Sequence, residues 1–354
     1  MNVPLFYRDK PMLGFDIGHG TLKIVQLGRT KKGFTGVLGY GFTKFDASAV
    51  VNGEIKNFDI VASAAHTLVA EQFAGGITTT RAAVAIPVSE SYMRTLTLPK
   101  MKKEDLEEAV RLETEQYVPV PVDELYIDFE ETKISDEGEQ EVLMVAVRKN
   151  VVDSYMRLFE FLGLEVGHVE TTLISSVRAV TGALDTDEPV IIVDAGSQSS
   201  DLSIYDKTIR ATGTTNGGGD TITKSIAKQM NTNERDAQTV KSRFGLLDSP
   251  HKEIIEKAVT PYFDGLVKEV KRMQRYYVER SKSSEPIKKI VVLGGGANMP
   301  GFSQKLAELT EMNVEICDPW RSINFSDLQI PSELETTIYT TSVGLAMVKP
   351  EKVR

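Results

Sequence analysis

Residues 12–26, MLGFDIGHGTLKIVQ, and residues 189–205, PVIIVDAGSQSSDLSIY, decide how this chain is read. In the first, Leu13, Phe15 and Ile17 alternate with smaller residues, Gly18-His19-Gly20 interrupts, and Leu22, Ile24 and Gln26 resume the alternation. Apolar residues at period two on both sides of a glycine turn predict a β-hairpin. The second stretch repeats the plan as Val190 to Val193, Asp194-Ala195-Gly196, Ser197 to Ser200 and Asp201-Leu202-Ser203-Ile204. A displacement of 178 positions (194 minus 16) lays Asp16 on Asp194, Gly18 on Gly196, Thr21 on Ser199 and Ile24 on Leu202. That displacement is about half of the 354 residues, so the chain reads as an internal duplication with two related domains.

The composition of such a hairpin has a chemical use. Glycine lets backbone approach a phosphate, the turn's amides donate to its oxygens, and Thr or Ser adds a hydroxyl. The aspartate stands where strand meets turn, and magnesium prefers oxygen ligands while keeping waters, so one carboxylate per hairpin can hold a hydrated ion beside a polyphosphate. Asp and Gly also serve as plain turn residues, and it is the matched pair that favours the phosphate reading. A third element, Ile290 to Leu293 followed by Gly294-Gly295-Gly296-Ala297-Asn298, predicts a buried strand and a turn, with Pro300 in the first turn of a helix through Phe302 and Leu306. Met299 stands where the dinucleotide fingerprint needs glycine, so that fingerprint is absent. A purine or ribose could pack on such bare backbone, and a helix amino terminus favours negative charge.

Bulk composition sets limits. With 41% hydrophobic and 26% charged residues the chain reads as soluble and globular, and its apolar runs, as at 142–147, are far too short to span a membrane. The first ten residues lack a signal-peptide pattern, which predicts a cytoplasmic protein. One cysteine, Cys317, excludes a disulfide framework and reads as a small buried hydrophobe. A net charge of −9 offers no general attraction to nucleic acid or anionic lipid. The basic run 268–282 is interrupted by Glu269 and Glu279 and predicts a solvated helix face, with Val267, Val270, Met273 and Tyr277 as its buried stripe. Residues 135–139, Ser-Asp-Glu-Gly-Glu, read as a solvated hairpin tip.

Taken in order, the three glycine segments resemble the phosphate 1, phosphate 2 and adenosine motifs of the actin-like ATPase superfamily. The resemblance implies an α/β fold of two related domains around a nucleotide cleft, each with a mixed sheet and helices on both faces, and ATP with Mg2+ as cofactors. Gly167-His168-Val169-Glu170 with the helix after it, and 340–346, resemble the two interdomain connections. An insertion at about 92–163 resembles the SHS2-type subdomain of the FtsA and PilM branch, above all in LEEAVRLETEQYVPVP, 106–121. Within it, strands are expected at 94–98, 125–133 and 141–147 and helices at 102–117 and 151–162. FtsA proteins usually end in an amphipathic membrane helix, whereas 347–354 are short and polar, so the PilM family of type IV pilus assembly proteins is the better match. The implied organisation is a first half-domain at 1–91, the insertion at 92–163, a connection at 164–187, a second domain at 188–338 and a returning helix at 339–354.

The expected nucleotide contacts are Asp16, Gly18, Gly20 and Thr21 from the first hairpin, and Asp194, Gly196, Ser197 and Ser199 from the second, with both aspartates holding magnesium through water. Lys23 reads equally as a phosphate contact or a solvated strand residue. Gly219 in Gly217-Gly218-Gly219-Asp220, then Gln238 and Lys241, match positions that flank the nucleotide in relatives, while Asp220 could equally cap its helix. Gly294, Gly295, Gly296 and Ala297 complete the set. Glu170 is the candidate for positioning water, against a buried ion pair. The family further implies at most slow ATP hydrolysis and a partner in the cytoplasmic tail of a PilN-like single-span membrane protein, held near Val118, Val120, Leu125 and Ile127. Other pilus machinery proteins and self-association are open; nucleic acid and direct membrane insertion are not expected. A small-molecule kinase or a filament-forming relative would use the same glycine motifs.

Overall fold

The computed structural model describes residues 11–30, 33–134, 138–184, 188–281 and 285–348. The readings placed on the first ten residues, on 135–137 of the acidic tip and on the polar end at 349–354 lie outside the described residues.

The first hairpin forms as its alternation requires: β1 (Leu13–Gly18) pairs antiparallel with β2 (Thr21–Thr30), Gly18 opposite Thr21. The chain continues through β3 (Gly33–Lys44), a two-residue pair β4 (Val50–Val51) and β5 (Glu54–Ile55), α1 (Phe58–Glu71), β6 (Phe73–Gly75) and β7 (Arg81–Ile86). Asn57 caps α1, its side chain accepting the Ile60 amide at 3.2 Å. The inserted subdomain follows as β8 (Ser91–Pro99), α2 (Lys103–Tyr117), β9 (Leu125–Ile134), β10 (Glu139–Arg148) and α3 (Lys149–Phe161). Its three strands form an antiparallel sheet in the order β8-β10-β9, covered by Leu106 and Val110 of α2. These elements match the expected ones, although β8 is longer and α3 starts directly after β10 with no loop. β11 (Glu165–Thr171) returns to the first sheet, whose order is β11-β7-β1-β2-β3-β6, with β7 parallel to both β1 and β11.

Helix α4 (Thr172–Ala183) leads into the second copy: β12 (Val190–Ala195), β13 (Ser199–Asp206) and β14 (Thr208–Asn216). Next come α5 (Gly219–Met230), α6 (Glu234–Phe244), α7 (Lys252–Ser281), β15 (Lys289–Leu293), α8 (Phe302–Thr310) and β16 (Asn313–Ile316), then the short α9 (Glu333–Thr336) and α10 (Thr340–Ala346). The second sheet runs β14-β13-β12-β15-β16 and repeats the antiparallel hairpin beside parallel strands. Val270, Met273 and Tyr277 of α7 are buried against this sheet, as their helical spacing predicts. Cys317 is buried. One expectation fails: Pro300 is not in the first turn of α8, which starts at Phe302 after Gly301 in the left-handed region at φ +83°. The Pro300 carbonyl instead accepts the Leu246 amide at 2.8 Å, which ties α8's approach to the end of α6.

Alternation puts Leu13, Phe15 and Ile17 on the face covered by α1 and α3, where Phe15 meets the Phe159 ring edge-on at 4.9 Å. Gly14 and Asp16 therefore face the other way, toward α10, and a side chain at Gly14 would overlap the Ser342 carbonyl. Helix α10 crosses α4 as closely. A Cβ at Gly344 would strike the Ser175 carbonyl, and the Ser176 and Thr341 hydroxyls bond at 3.0 Å. The other side of α4 packs Leu173, Val177 and Val180 on Val190, Ile192 and Val291 of the second sheet. Trp320 and Phe325, which follow β16, reach back to Val25, Leu27 and Val37 of the first sheet.

Replacing Gly344 with Ala should force α4 and α10 apart and cost about 3 kcal/mol. Urea unfolding would measure it; an unchanged midpoint would mean that the crossing yields freely.

Candidate functional site

The two hairpins end in facing turns. Asp16 is buried, and its Oδ2 accepts from Lys23 Nζ at 2.9 Å, directly across the β1–β2 pair. Lys23, a candidate phosphate contact, is thus bonded to the first aspartate. Carrying Lys23 through the same displacement of 178 lands on Asp201, which sits opposite Asp194 in the β12–β13 pair. Where the first hairpin sets a cation against its aspartate, the second sets another carboxylate. Burial pushes Asp194 up to about 7, and the neighbouring Asp201 and Asp16 charges add to it while Lys23 opposes. Burial likewise raises Asp201 to about 6, against the Thr214 hydroxyl, which donates to it at 2.7 Å. The sequence motifs do not single out Asp201, although the repeat marks its place once Lys23 is included in the superposition.

The remaining glycine segments close around the second turn. Gly196 N–H donates to the Ser199 carbonyl at 3.0 Å, which closes the turn that carries Ser197. The Gly219 amide donates to the Gly196 carbonyl at 3.1 Å and the Asp220 amide to the Ser197 carbonyl at 2.9 Å, so the start of α5 is fastened to that turn. Gly218 holds the cap position, so Asp220 lies in the first turn of α5 and is not its cap. Lys241 is buried, donating to the Gly219 carbonyl at 2.7 Å and to the Thr223 hydroxyl at 2.8 Å, and burial lowers it to about 8. Thr223 in turn donates to Gln238 Oε1 at 2.8 Å. The run 294–298 is a short 3-10 turn against the second hairpin. Gly294 has φ +81°, and a side chain there would overlap Asp194 Oδ1; one at Gly296 would press on Ala195 at 2.9 Å. Only glycine can lay backbone so close to the carboxylate. Ala297 is buried, while Gly295 has open space where a side chain would be. In the first turn, Gly18 leaves room beside Thr21 Oγ1 and Lys23 Nζ, and Gly20 takes φ +77°. The turns touch: His19 Nε2 and Gln198 Nε2 lie 2.9 Å apart.

Glu170 has partners of its own. Its two carboxylate oxygens receive Arg178 at 2.6 and 2.5 Å, and His168 Nε2 lies 3.2 Å from one of them. Burial would raise this carboxyl, but Arg178 and His168 hold it below the usual carboxylate range. Arg178 also donates to the Gly344 carbonyl at 2.9 Å, so the group belongs to the α4–α10 crossing, and the ion-pair reading describes its contacts. On the inserted subdomain, Arg111, Glu115 and residues 118–123 line an open cavity of about 430 Å3. Val118 and Leu125 are buried in the subdomain core, with Val120 and Ile127 partly buried against it. Among the described residues, no group of three or more His, Cys, Asp or Glu is placed to hold a metal, and no helix is long and apolar enough to cross a membrane.

Asp194 and Asp201, raised in the folded chain to about 7 and about 6, cost the fold nothing while protonated in both states and disfavour it once they ionise in the unfolded chain. Their effect is therefore absent below about pH 4 and grows unfavourable as pH rises, up to about 6 for Asp201 and about 7 for Asp194, each pH unit within its own window costing on the order of 1 kcal/mol. In chelator, Asp194→Asn should raise thermal stability at pH 8 and leave it unchanged at pH 4; equal effects at both would refute the electrostatic cause.

The family model described as type IV pilus assembly protein PilM matches residues 14–349. Among curated proteins, the cell division protein FtsA of Pseudomonas aeruginosa is 24% identical over 60% of this chain and 55% of its own length. FtsA of Enterococcus faecalis is 22% identical over 48% of this chain and 43% of its own. The chain thus spans about half the length of these relatives. A solved PilM-PilN type IV pilus biogenesis complex contains a chain of the same fold, with a TM-score of 0.83 at 22% identity over 96% of this chain and 98% of that one. MreB 5 of Spiroplasma citri bound to AMPPNP has a TM-score of 0.51 at 11% identity, covering 95% of both chains. The fold is that of the actin-like ATPases, and the chain belongs to the PilM family of type IV pilus assembly proteins.

Proposed function

We propose that this chain is an ATP-binding scaffold of a type IV pilus assembly platform, tied to the membrane through the tail of a PilN-like protein. The observation that carries the nucleotide half is the opposed pair of Asp-x-Gly turns, where three carboxylates, Asp16, Asp194 and Asp201, stand with one lysine, Lys23. Asp16 and Asp194 would hold hydrated magnesium, with Asp201 close to the second of them, and a divalent ion would offset the burial and the repulsion that together raise Asp194. The amides of the Gly18–Thr21 and Gly196–Ser199 turns suit phosphate oxygens. The bare backbone at Gly294 to Gly296, beside Gly219, Gln238 and Lys241, suits the nucleoside. Magnesium supplies the charge that makes a polyphosphate tolerable beside carboxylates.

Glu170 supports holding ATP over hydrolysing it, because its carboxylate is already engaged by Arg178 and His168. For the partner, support comes from the shared fold with a chain of a PilM-PilN complex and from the cavity beside 118–123. An extended tail with alternating apolar side chains suits such a surface, and Leu112 and Tyr117 of α2 are exposed.

Calorimetry should show magnesium-dependent ATP binding that Asp16→Ala and Asp194→Ala each weaken, with little phosphate release by the pure protein. Unchanged affinity in both variants would contradict the site, and rapid release abolished by Glu170→Gln would contradict the holding role. A peptide from the cytoplasmic tail of a PilN-like protein should be retained by the full chain and lost on charge reversal at Arg111 with Leu112→Asp. Failure to retain it with or without ATP would sink the partner assignment.

A further inference from the structure

We propose that His19 and Gln198 form a latch between the two phosphate turns, and that a nucleotide's terminal phosphate takes over both side chains. The inference rests on the nucleotide reading above and names the groups that would tell a triphosphate from a diphosphate.

The latch joins different sheets. His19 sits in the Gly18-His19-Gly20 turn between β1 and β2, Gln198 in the turn between β12 and β13, and their Nε2 atoms lie 2.9 Å apart. The two positions do not correspond in the repeat, since the displacement of 178 lays His19 on Ser197 and Gly20 on Gln198. Each turn thus carries one long polar side chain where its counterpart carries a small residue, so the pair can meet across the cleft without a clash.

Two other basic groups, Lys23 and Lys241, have protein partners. Lys23 bonds Asp16, and Lys241 bonds the Gly219 carbonyl and Thr223. His19 and Gln198 are bonded to each other at an exposed position, and either can present an N–H to an anion. A hydrogen bond between two uncharged exposed side chains is weaker than one to a phosphate oxygen, so the exchange runs toward the phosphate. A triphosphate would replace one bond between the turns with one from each turn to its last phosphate. A diphosphate is a group shorter and would leave the latch in place. The turns would then be held together in both states, by each other or by the triphosphate.

Titration calorimetry of the full chain with magnesium and either ATP or ADP tests this. His19→Ala and Gln198→Ala should each lower the ratio of ATP to ADP affinity about tenfold or more. His19→Gln, which keeps a donor, should retain most of the ratio. In the unaltered chain, the His19 ring-proton resonance, assigned by its loss in His19→Ala, should move with a non-hydrolysable ATP analogue and stay with ADP. If the unaltered chain binds neither nucleotide, the nucleotide reading falls and the latch with it. If it binds both, but the variants keep the ratio or the resonance responds alike to both ligands, the latch alone is overturned. Should His19→Ala fail to fold, Gln198→Ala and the resonance, assigned instead through His19→Gln, decide the question.

Discussion

Two helices cross here with almost nothing between them, and the rest of the molecule depends on that contact. Where α4 meets α10, Gly344 lies against the Ser175 carbonyl, while Gly14 of β1 lies against the Ser342 carbonyl on the other side of α10. Because α4 also carries the apolar face that covers the second sheet, the spacing at Gly344 fixes how far β1 stands from β12. Small residues let the backbones approach, and the Glu170–Arg178 pair locks the approach by bonding the Gly344 carbonyl. A buried ion pair of this kind adds little net stability over apolar packing, but breaking one partner leaves an uncompensated charge, which suits it to fixing one geometry.

That spacing gives the turns their electrostatics. Asp16 is answered by Lys23, whereas Asp194 faces Asp201; burial raises both carboxyls of the second pair, and at Asp194 the neighbouring Asp201 and Asp16 charges add to it. Carboxyls raised by desolvation beside other charges are found more often at functional sites than elsewhere. The duplication is therefore not symmetric in charge. One hairpin sets a lysine against its aspartate and the other sets a second carboxylate there, and the contact of the two turn tips brings both to the same place.

The inserted subdomain is joined to this centre by packing. Helix α3 continues straight from β10 and lays Tyr155, Leu158 and Phe159 on the face of β1 opposite Asp16. On its other flank, Glu141 of β10 pairs with Arg210 of β14 at 2.8 Å, so the subdomain touches both halves of the chain. Any change in how the two sheets approach would be felt by the subdomain through these two contacts.

Much of this is legible in the residues. Alternation in β1 fixes which of its side chains face the core, the continuous apolar run before Asp194 marks β12 as buried on both faces, and both hairpins, their duplication and the buried stripe of α7 follow from these patterns. Glycine run, strand and turn at 290–298 follow in the same way, and so do the elements of the insertion. Other features depend on partners far apart in the chain. Whether Lys23 reaches outward or bonds Asp16 depends on a cross-strand register, and whether Glu170 is free depends on Arg178 and the α4–α10 crossing. Pro300 reads as a helix start, but its carbonyl accepts the amide of Leu246, just beyond the end of α6. Residue order alone therefore specifies two copies of a turn built to approach an anion. Folding in three dimensions adds that one copy is neutralised, that the other keeps an opposed pair of carboxylates, and that the tips meet, since burial and proximity set the cost of charge.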